Sequence, residues 1–287
     1  MGEILYLETT AAIDAAFKSF PELLSLIKSS EKSISSQYVK MEIKRGFLYN
    51  LVLLHNKAVE CSSFAQVQQF AANLASSPKR YYLGAVLDTL RVYFEKIDSQ
   101  RPDDLKKKYG NIHLGDIHRK QMIYFLRSWI RMFLPKIDKM VDELINPMKC
   151  FVDLKSPVLN GELFDNKPSR CSQSGFECEI QKFFQNNEDG FKVILNNLRK
   201  LHGTGKDDET KKREAALNFI IKKRIHRTSM KFSNKSQDEI KCWECGDAIH
   251  AVLAPKGASV VNRNGRHYDQ ICEAIDRKSL VYKSPKV

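Results

Sequence analysis

Near its amino terminus the chain reads Glu3-Ile4-Leu5-Tyr6-Leu7-Glu8-Thr9-Thr10, a short apolar run that ends in an acid and two hydroxyl residues. A strand exposed on one face alternates apolar and polar side chains. An unbroken run of this length instead fits a strand covered on both faces, as in a parallel sheet. Glu8, Thr9 and Thr10 then fall at the strand's carboxyl end, the edge where open α/β sheets place their ligands. Ala11, Ile13, Ala16 and Phe17 follow with the spacing of an amphipathic helix. Phe20-Pro21 separates it from a second helix carrying Leu23, Leu24, Leu26 and Ile27, and Ser33-Ile34-Ser35-Ser36 is the candidate second strand.

Working outward, a helix spans Met41 to Leu54 and holds Glu42 in its first turns. Between about 64 and 148 the pattern is helical, with apolar spacing at Leu83, Val86, Leu87, Leu90 and Phe94 and again at Met122, Phe125, Leu126, Ile130 and Phe133. Cys150-Phe151-Val152-Asp153-Leu154 is a candidate third strand, and the Ser-, Asn-, Gly- and Pro-rich residues 156–175 read as a long loop. Helices resume near 177 and run with breaks to about 230. Ser259-Val260-Val261 and Ser279-Leu280-Val281-Tyr282 are the last strand candidates, with a short helix around 270–275 between them. Strands near both ends with helices between them give an α/β class, and no internal repeat is evident.

The composition agrees with a folded chain. Its 287 residues are 43% hydrophobic and 28% charged with 13 Gly and 9 Pro, which argues against a collagen-like or low-complexity polymer. Lys and Arg outnumber Asp and Glu by 47 to 34, a net +13 that favours polyanionic partners, nucleic acid or an acidic surface. No secretory signal is visible, Tyr6 stands where a myristoylation motif wants Ser or Thr, and the apolar stretch 122–134 is interrupted by Arg127 and Arg131. The expectation is a cytoplasmic protein without a membrane partner, whose seven cysteines are reduced.

Acidic or amide side chains recur at predicted element ends: Glu8 after the first strand, Glu42, Asp247 in Cys245-Gly246-Asp247-Ala248-Ile249, and Asn264 in Val260-Val261-Asn262-Arg263-Asn264. Carboxylates gathered at strand ends repel one another unless a hard cation lies between them, and such an ion activates water and offsets charge on a phosphate. Ordinary surface acids, with a helix N-cap at Asp247, are the simpler explanation of each position alone.

The order of these segments resembles the PIN-domain ribonucleases, the fold of VapC-type toxins. Leu5-Tyr6-Leu7-Glu8-Thr9-Thr10-Ala11-Ala12-Ile13-Asp14 resembles that family's Leu-Asp-Thr opening, and Val39-Lys40-Met41-Glu42-Ile43-Lys44-Arg45-Gly46 its second motif. Residues 246–254 look like its Asp-Ala-x-Ile-Ala-Ala helix, residues 260–264 with Tyr268 like its fourth acidic position, and residues 280–285 like its closing strand and proline. The resemblance implies a PIN-like α/β/α sandwich with a central parallel sheet, formed by residues 1–60 and 237–287. Residues 61–236 would be an extensive, mainly α-helical insertion containing one core strand near 149–154.

It further implies an endoribonuclease that hydrolyses single-stranded or looped RNA with Mg²⁺ or Mn²⁺ held by Glu8, Glu42, Asp247 and Asn264, leaving a 5′-phosphate and a 3′-hydroxyl. Thr9 or Thr10 would orient the ligand. A toxin or defence effector restrained by an antitoxin-like protein, or assembled as a homo-oligomer, is consistent with that reading. Two positions depart from the family. Glu8 stands for Asp and carries an extra methylene, and Asn264 is neutral, so the cluster holds three negative charges. The alternative is a catalytically silent PIN-like module that binds nucleic acid or protein.

Two other features carry expectations. Residues 199–241 hold 13 Lys or Arg against 6 Asp or Glu, with Leu217, Ile220, Ile221 and Ile225 on one helical stripe and Lys211, Lys212, Lys222 and Lys223 opposite. That face suits a phosphate backbone, as do Arg263 and Arg266 beside the fourth motif; a solvated helix face is the bland reading. Cys242 and Cys245 have zinc-knuckle spacing and with Cys171 and Cys178 would close a four-thiolate structural Zn²⁺ site, although buried thiols need no metal. Gly203-Thr204-Gly205-Lys206 lacks the remainder of a P-loop, and His113, Asp116 and His118 lie at a turn.

Overall fold

The computed structural model describes residues 2–18, 20–75, 81–145, 156–165, 179–200, 208–222 and 244–283. Five strands, β1 (Ile4–Leu7), β2 (Lys32–Ser36), β3 (Glu143–Ile145), β6 (Ala258–Asn262) and β7 (Lys278–Val281), form an all-parallel sheet in the order β3-β2-β1-β6-β7. Two further short strands, β4 (Leu159–Asn160) and β5 (Leu163–Phe164), make a separate antiparallel hairpin. The apolar run 4–7 is thus the central strand, buried by neighbours on both sides. The third strand is Glu143–Ile145, ahead of the candidate at 150–154, which lies outside the described residues. Register explains the choice: Asp142 accepts from the Ser33 amide at 2.6 Å and from the Ser33 hydroxyl at 2.9 Å, which fixes β3 against β2.

The helices are α1 (Thr9–Ile13), running on as a π-helical turn Asp14–Lys18, α2 (Pro21–Ser29), and α3 (Gln37–Ile43), which continues through a second π-helical turn Lys44–Leu48 into α4 (Tyr49–Glu60). Then follow α5 (Phe64–Ala75), α6 (Tyr81–Asp98), α7 (Pro102–Tyr109) and α8 (Leu114–Met140). After the hairpin come α9 (Glu179–Asn186), α10 (Glu188–Lys200), α11 (Asp208–Ile220), α12 (Gly246–Leu253) and α13 (Gly265–Ala274). None of the described helices is long and apolar enough to cross a membrane.

The chain divides into two compact units. The first comprises Met1–Met41, Lys136–Leu154 and Ser169–Val287, the second Glu42–Pro135 and Lys155–Pro168. These limits differ from the expected ones near 60 and 237: residues 42–60 fall in the second unit, and α10, ahead of 237, falls in the first. Helix α10 buries Phe191, Ile194, Leu195 and Leu198, and Asn197 donates to the Gln270 carbonyl of α13 at 2.9 Å.

In the first unit the alternation along β1 sorts the two faces of the sheet. Leu5 and Leu7, with Val261, pack into a core made with Ala11, Ala15, Leu23, Val141 and Tyr282. Tyr6 points the other way, toward α12. Gly265 opens α13 where the backbone passes so close to Val281 that a Cβ would collide with it. In the second unit, Asn56 of α4 clasps the hairpin: its Nδ2 donates to the Phe164 carbonyl at 2.7 Å and its Oδ1 accepts the Phe164 amide at 2.9 Å. His55 stacks edge-on against the Phe164 ring, and burial lowers its pKa.

Candidate active site at the carboxyl edge of the sheet

From β1 the chain fills positions to one side, β2 and β3, and later to the other, β6 and β7. The connections therefore part at the β1/β6 pair. In open parallel sheets such a switch point leaves a crevice outside the carboxyl ends of the strands. Leu7 pairs with Val261, and the Glu8 amide donates to the Val261 carbonyl at 3.4 Å, so Glu8 and Asn262 stand level at that edge.

Glu8 caps α1. One carboxylate oxygen accepts the Thr10 amide at 2.7 Å and the other the Ala11 amide at 3.0 Å. Only 3% of the residue is exposed. Burial pushes its pKa from the usual 4.5 up to about 8, and the negative charge of Asp247 adds to the rise, against the pull of His250 and the two capping amides. Glu8 is thus an acid held largely neutral near pH 7.

Beside it runs a buried polar chain. His250 of α12 has Nδ1 3.0 Å from the Tyr6 hydroxyl and Nε2 3.2 Å from Thr9 Oγ1, while the Tyr38 ring meets it edge-on at 5.1 Å. The Tyr6 hydroxyl is also 2.8 Å from Ser36 Oγ, which accepts the Val39 amide at 3.3 Å. This chain links β2, β1 and α12 to the turn that carries Glu8.

Asp247 sits in the first turn of α12 with 29% of its side chain exposed, and Arg213 Nη2 of α11 lies 2.8 Å from its carboxylate. The same nitrogen donates to His267 Nδ1 at 2.7 Å, and Asn264 Nδ2 is also 2.7 Å from that ring nitrogen. The acid, the guanidinium, the imidazole and the amide form a second chain at the same edge. At the far end of α1, the buried Asp14 accepts the Tyr282 hydroxyl at 2.7 Å and lies 3.6 Å from Arg263 Nη1, which ties the loop after β6 to α1.

Glu8, Asp247 and Asn264 thus belong to one edge of one unit, with Thr9 and Thr10 half-buried in the first turn of α1. Glu42 lies half-buried in α3 and opens the second unit. Among the expected nucleic-acid contacts, Lys212, Lys222 and Arg266 are exposed, Lys211 pairs with Asp208 at 3.4 Å, and Arg263 is half-buried against Asp14. Lys223, Cys171, Cys178 and Cys242 lie outside the described residues, while Cys245 is buried just before α12.

Sequence reasoning overlooked His250, Arg213, Asp14 and Asn262. The one sequence cue was for His250, three residues after Asp247 in an otherwise apolar helix; Arg213 is 34 residues from Asp247 with no local signal. Asn262 is the buried amide at the end of β6, where Asn264 is exposed. Its Nδ2 donates to the Val260 carbonyl at 3.1 Å and to Ser279 Oγ at 2.9 Å, and its buried Oδ1 has no hydrogen-bond partner among the described residues.

No group of three or more His, Cys, Asp or Glu side chains arranged to hold a metal occurs among the described residues. What the edge supplies is a buried acid with a raised pKa, a second carboxylate whose charge it feels, and polar oxygens at the next strand end. Comparison of the chain with family models, with curated proteins and with solved structures finds no match.

Proposed function

We propose that the protein is a PIN-type, divalent-metal-dependent endoribonuclease whose site is the β1/β6 edge. The observation that carries this reading is the pairing, at one sheet edge, of Glu8, whose burial raises its pKa, with Asp247, whose charge adds to the rise. The all-parallel sheet supports it, as do the positions of Glu8 directly after β1, Asp247 on the helix leading to β6, and Asn264 two residues beyond the end of β6.

The residues fit a hard cation in electrostatic terms. Burial makes an ionised Glu8 costly and the charge of Asp247 adds to that cost; Mg²⁺ or Mn²⁺ would offset both. Glu8 and Asp247 would hold the ion with an Asn oxygen assisting; Glu42, which opens the second unit, stays a candidate on its sequence motif alone. When bound, such an ion activates water and neutralises charge developing on a phosphodiester. The chain's own groups do the rest. The amides of Thr10 and Ala11 fix the Glu8 carboxylate, His250 positions the Thr9 hydroxyl, and Arg213 provides a cation beside Asp247 for a phosphate oxygen.

One observation favours the silent, binding-only reading. Arg213 already neutralises Asp247, and both oxygens of Glu8 cap α1. Incubating a labelled single-stranded RNA with protein in Mg²⁺, Mn²⁺ or EDTA separates the two. Cleavage that requires the metal and is lost in Asp247→Asn and Glu42→Gln supports hydrolysis. No cleavage by wild type, by Glu8→Asp or by Arg213→Gln supports the silent module.

A further inference from the structure

We propose that the exposed face of α8 in the second unit is a track for single-stranded RNA, an inference that rests on RNA being the substrate. Helix α8 buries Met122, Leu126, Ile130 and Phe133 at three- and four-residue spacing. At 100° per residue the opposite side carries Lys120, Tyr124, Ser128 and Arg131, and all four are exposed. Between Asp116 and Asp138 the sequence has five basic residues, Arg119, Lys120, Arg127, Arg131 and Lys136, and no acid.

Two of these cations are committed internally. Arg119 Nη1 donates to the carbonyls of Ala58 and Cys61 at 3.3 and 3.0 Å, and Arg127 Nη2 donates to the Glu162 carbonyl at 3.4 Å. Lys120 and Arg131 remain at the surface, about 16 Å apart along the helix axis at 1.5 Å per residue, with Tyr124 between them.

The aromatic residues give this face its chemistry. Tyr124 is 66% exposed and Tyr93 of α6 is 42% exposed. Both lean on Phe125, with ring centroids 5.7 and 4.1 Å away, and Phe125 stacks on Trp129 at 6.1 Å. Exposed apolar residues are normally scattered over a surface; here rings gather beside cations. Single-stranded nucleic acid is bound by this combination, in which cations follow the phosphates and rings stack on unpaired bases. An apolar protein surface would find the flanking Lys120 and Arg131 uncompensated, so the charge selects the polyanion.

The test uses the full-length protein in EDTA and a fluorescein-labelled oligouridylate twelve nucleotides long, with anisotropy read over a salt series. Lys120→Gln with Arg131→Gln should lower the slope of log affinity against log salt by about 1.4, at roughly 0.7 per phosphate contact on a single strand. Tyr124→Ala should weaken binding roughly tenfold while Tyr124→Phe retains it, because stacking needs the ring and not the hydroxyl. Unchanged affinity and slope in these variants overturns the proposal, as does failure of the wild type to bind. Loss of self-association in sedimentation, with RNA binding intact, overturns it in favour of a second copy on this face. Should Tyr124→Ala fail to fold, the charge pair and Tyr124→Phe still decide. Cleavage is scored separately: RNA bound through α8 but never cut in Mn²⁺ keeps this inference and removes the hydrolytic reading, and RNA cut by a protein whose α8 variants bind normally does the reverse.

Discussion

Replacing Glu8 by Gln in metal-free protein isolates the cost of its buried charge. The Glu8 pKa is about 8 in the folded chain against an ordinary 4.5. A carboxyl group with a raised folded-state pKa favours folding fully below its unfolded value, and that contribution is lost as pH rises toward the folded value. At about 1.4 kcal/mol per pH unit, the interval from 4.5 to 8 amounts to roughly 5 kcal/mol of stability lost by wild type but not by Glu8→Gln. The amide keeps one acceptor for the cap and sets an NH₂ against the other amide, which costs about 1 kcal/mol at every pH. Glu8→Gln should therefore be the less stable protein at pH 4.5 and the more stable one at pH 8, with a crossing between. The assay is urea denaturation in EDTA at several pH values, followed by circular dichroism. His55, in the second unit and absent from the charges acting on Glu8, titrates alike in both proteins and cancels in the difference. Parallel stability profiles from pH 4.5 to 8 would refute the reasoning.

Three further outcomes follow from the same structure. Asn56→Ala leaves the buried amide and carbonyl of Phe164 without their partners and should cost about 2–4 kcal/mol in denaturation followed by Trp129 fluorescence in a Trp243→Phe background; a loss below about 0.5 kcal/mol contradicts the clasp. Tyr282→Phe removes the hydroxyl that donates to the buried Asp14 and should destabilise the first unit by about 1–3 kcal/mol, where an unchanged urea midpoint would show the bond to be dispensable. Changing Lys211, Lys212 and Lys222 together to Gln should lower the salt slope of RNA binding by about 2 if all three meet phosphate, and by nothing if that face is merely solvated.

The central strand and its ligand edge were legible because burial on both faces forces an unbroken apolar run, and Ile4–Leu7 is such a run. Glu8 was legible for the same reason, since the first acid after the run must lie at the carboxyl end. The strand β3 was not, because Glu143–Ile145 is three residues long at the sheet's edge and is held by Asp142 bonding Ser33, a pairing 109 residues apart in sequence. Arg213 escaped for a related reason. Its own helix suggests a basic solvated face, and only the packing of α10 and α11 beside α12 turns it toward Asp247. Asn262 was passed over for Asn264 because alternation shows which face a residue occupies but not how deep its strand ends.

The most direct test of the proposed site is Mn²⁺ binding by calorimetry at pH 7 in two buffers of different ionisation enthalpy, which reads protons released per ion bound. A Glu8 with a pKa of about 8 is about nine-tenths protonated at pH 7, so a cation taken up by Glu8 and Asp247 should expel about 0.9 proton, and less at pH 9. One ion per chain, with release abolished in Glu8→Gln and binding lost in Asp247→Asn, is the predicted result. Absence of Mn²⁺ binding at millimolar concentration, or binding without proton release and indifferent to both substitutions, would contradict it.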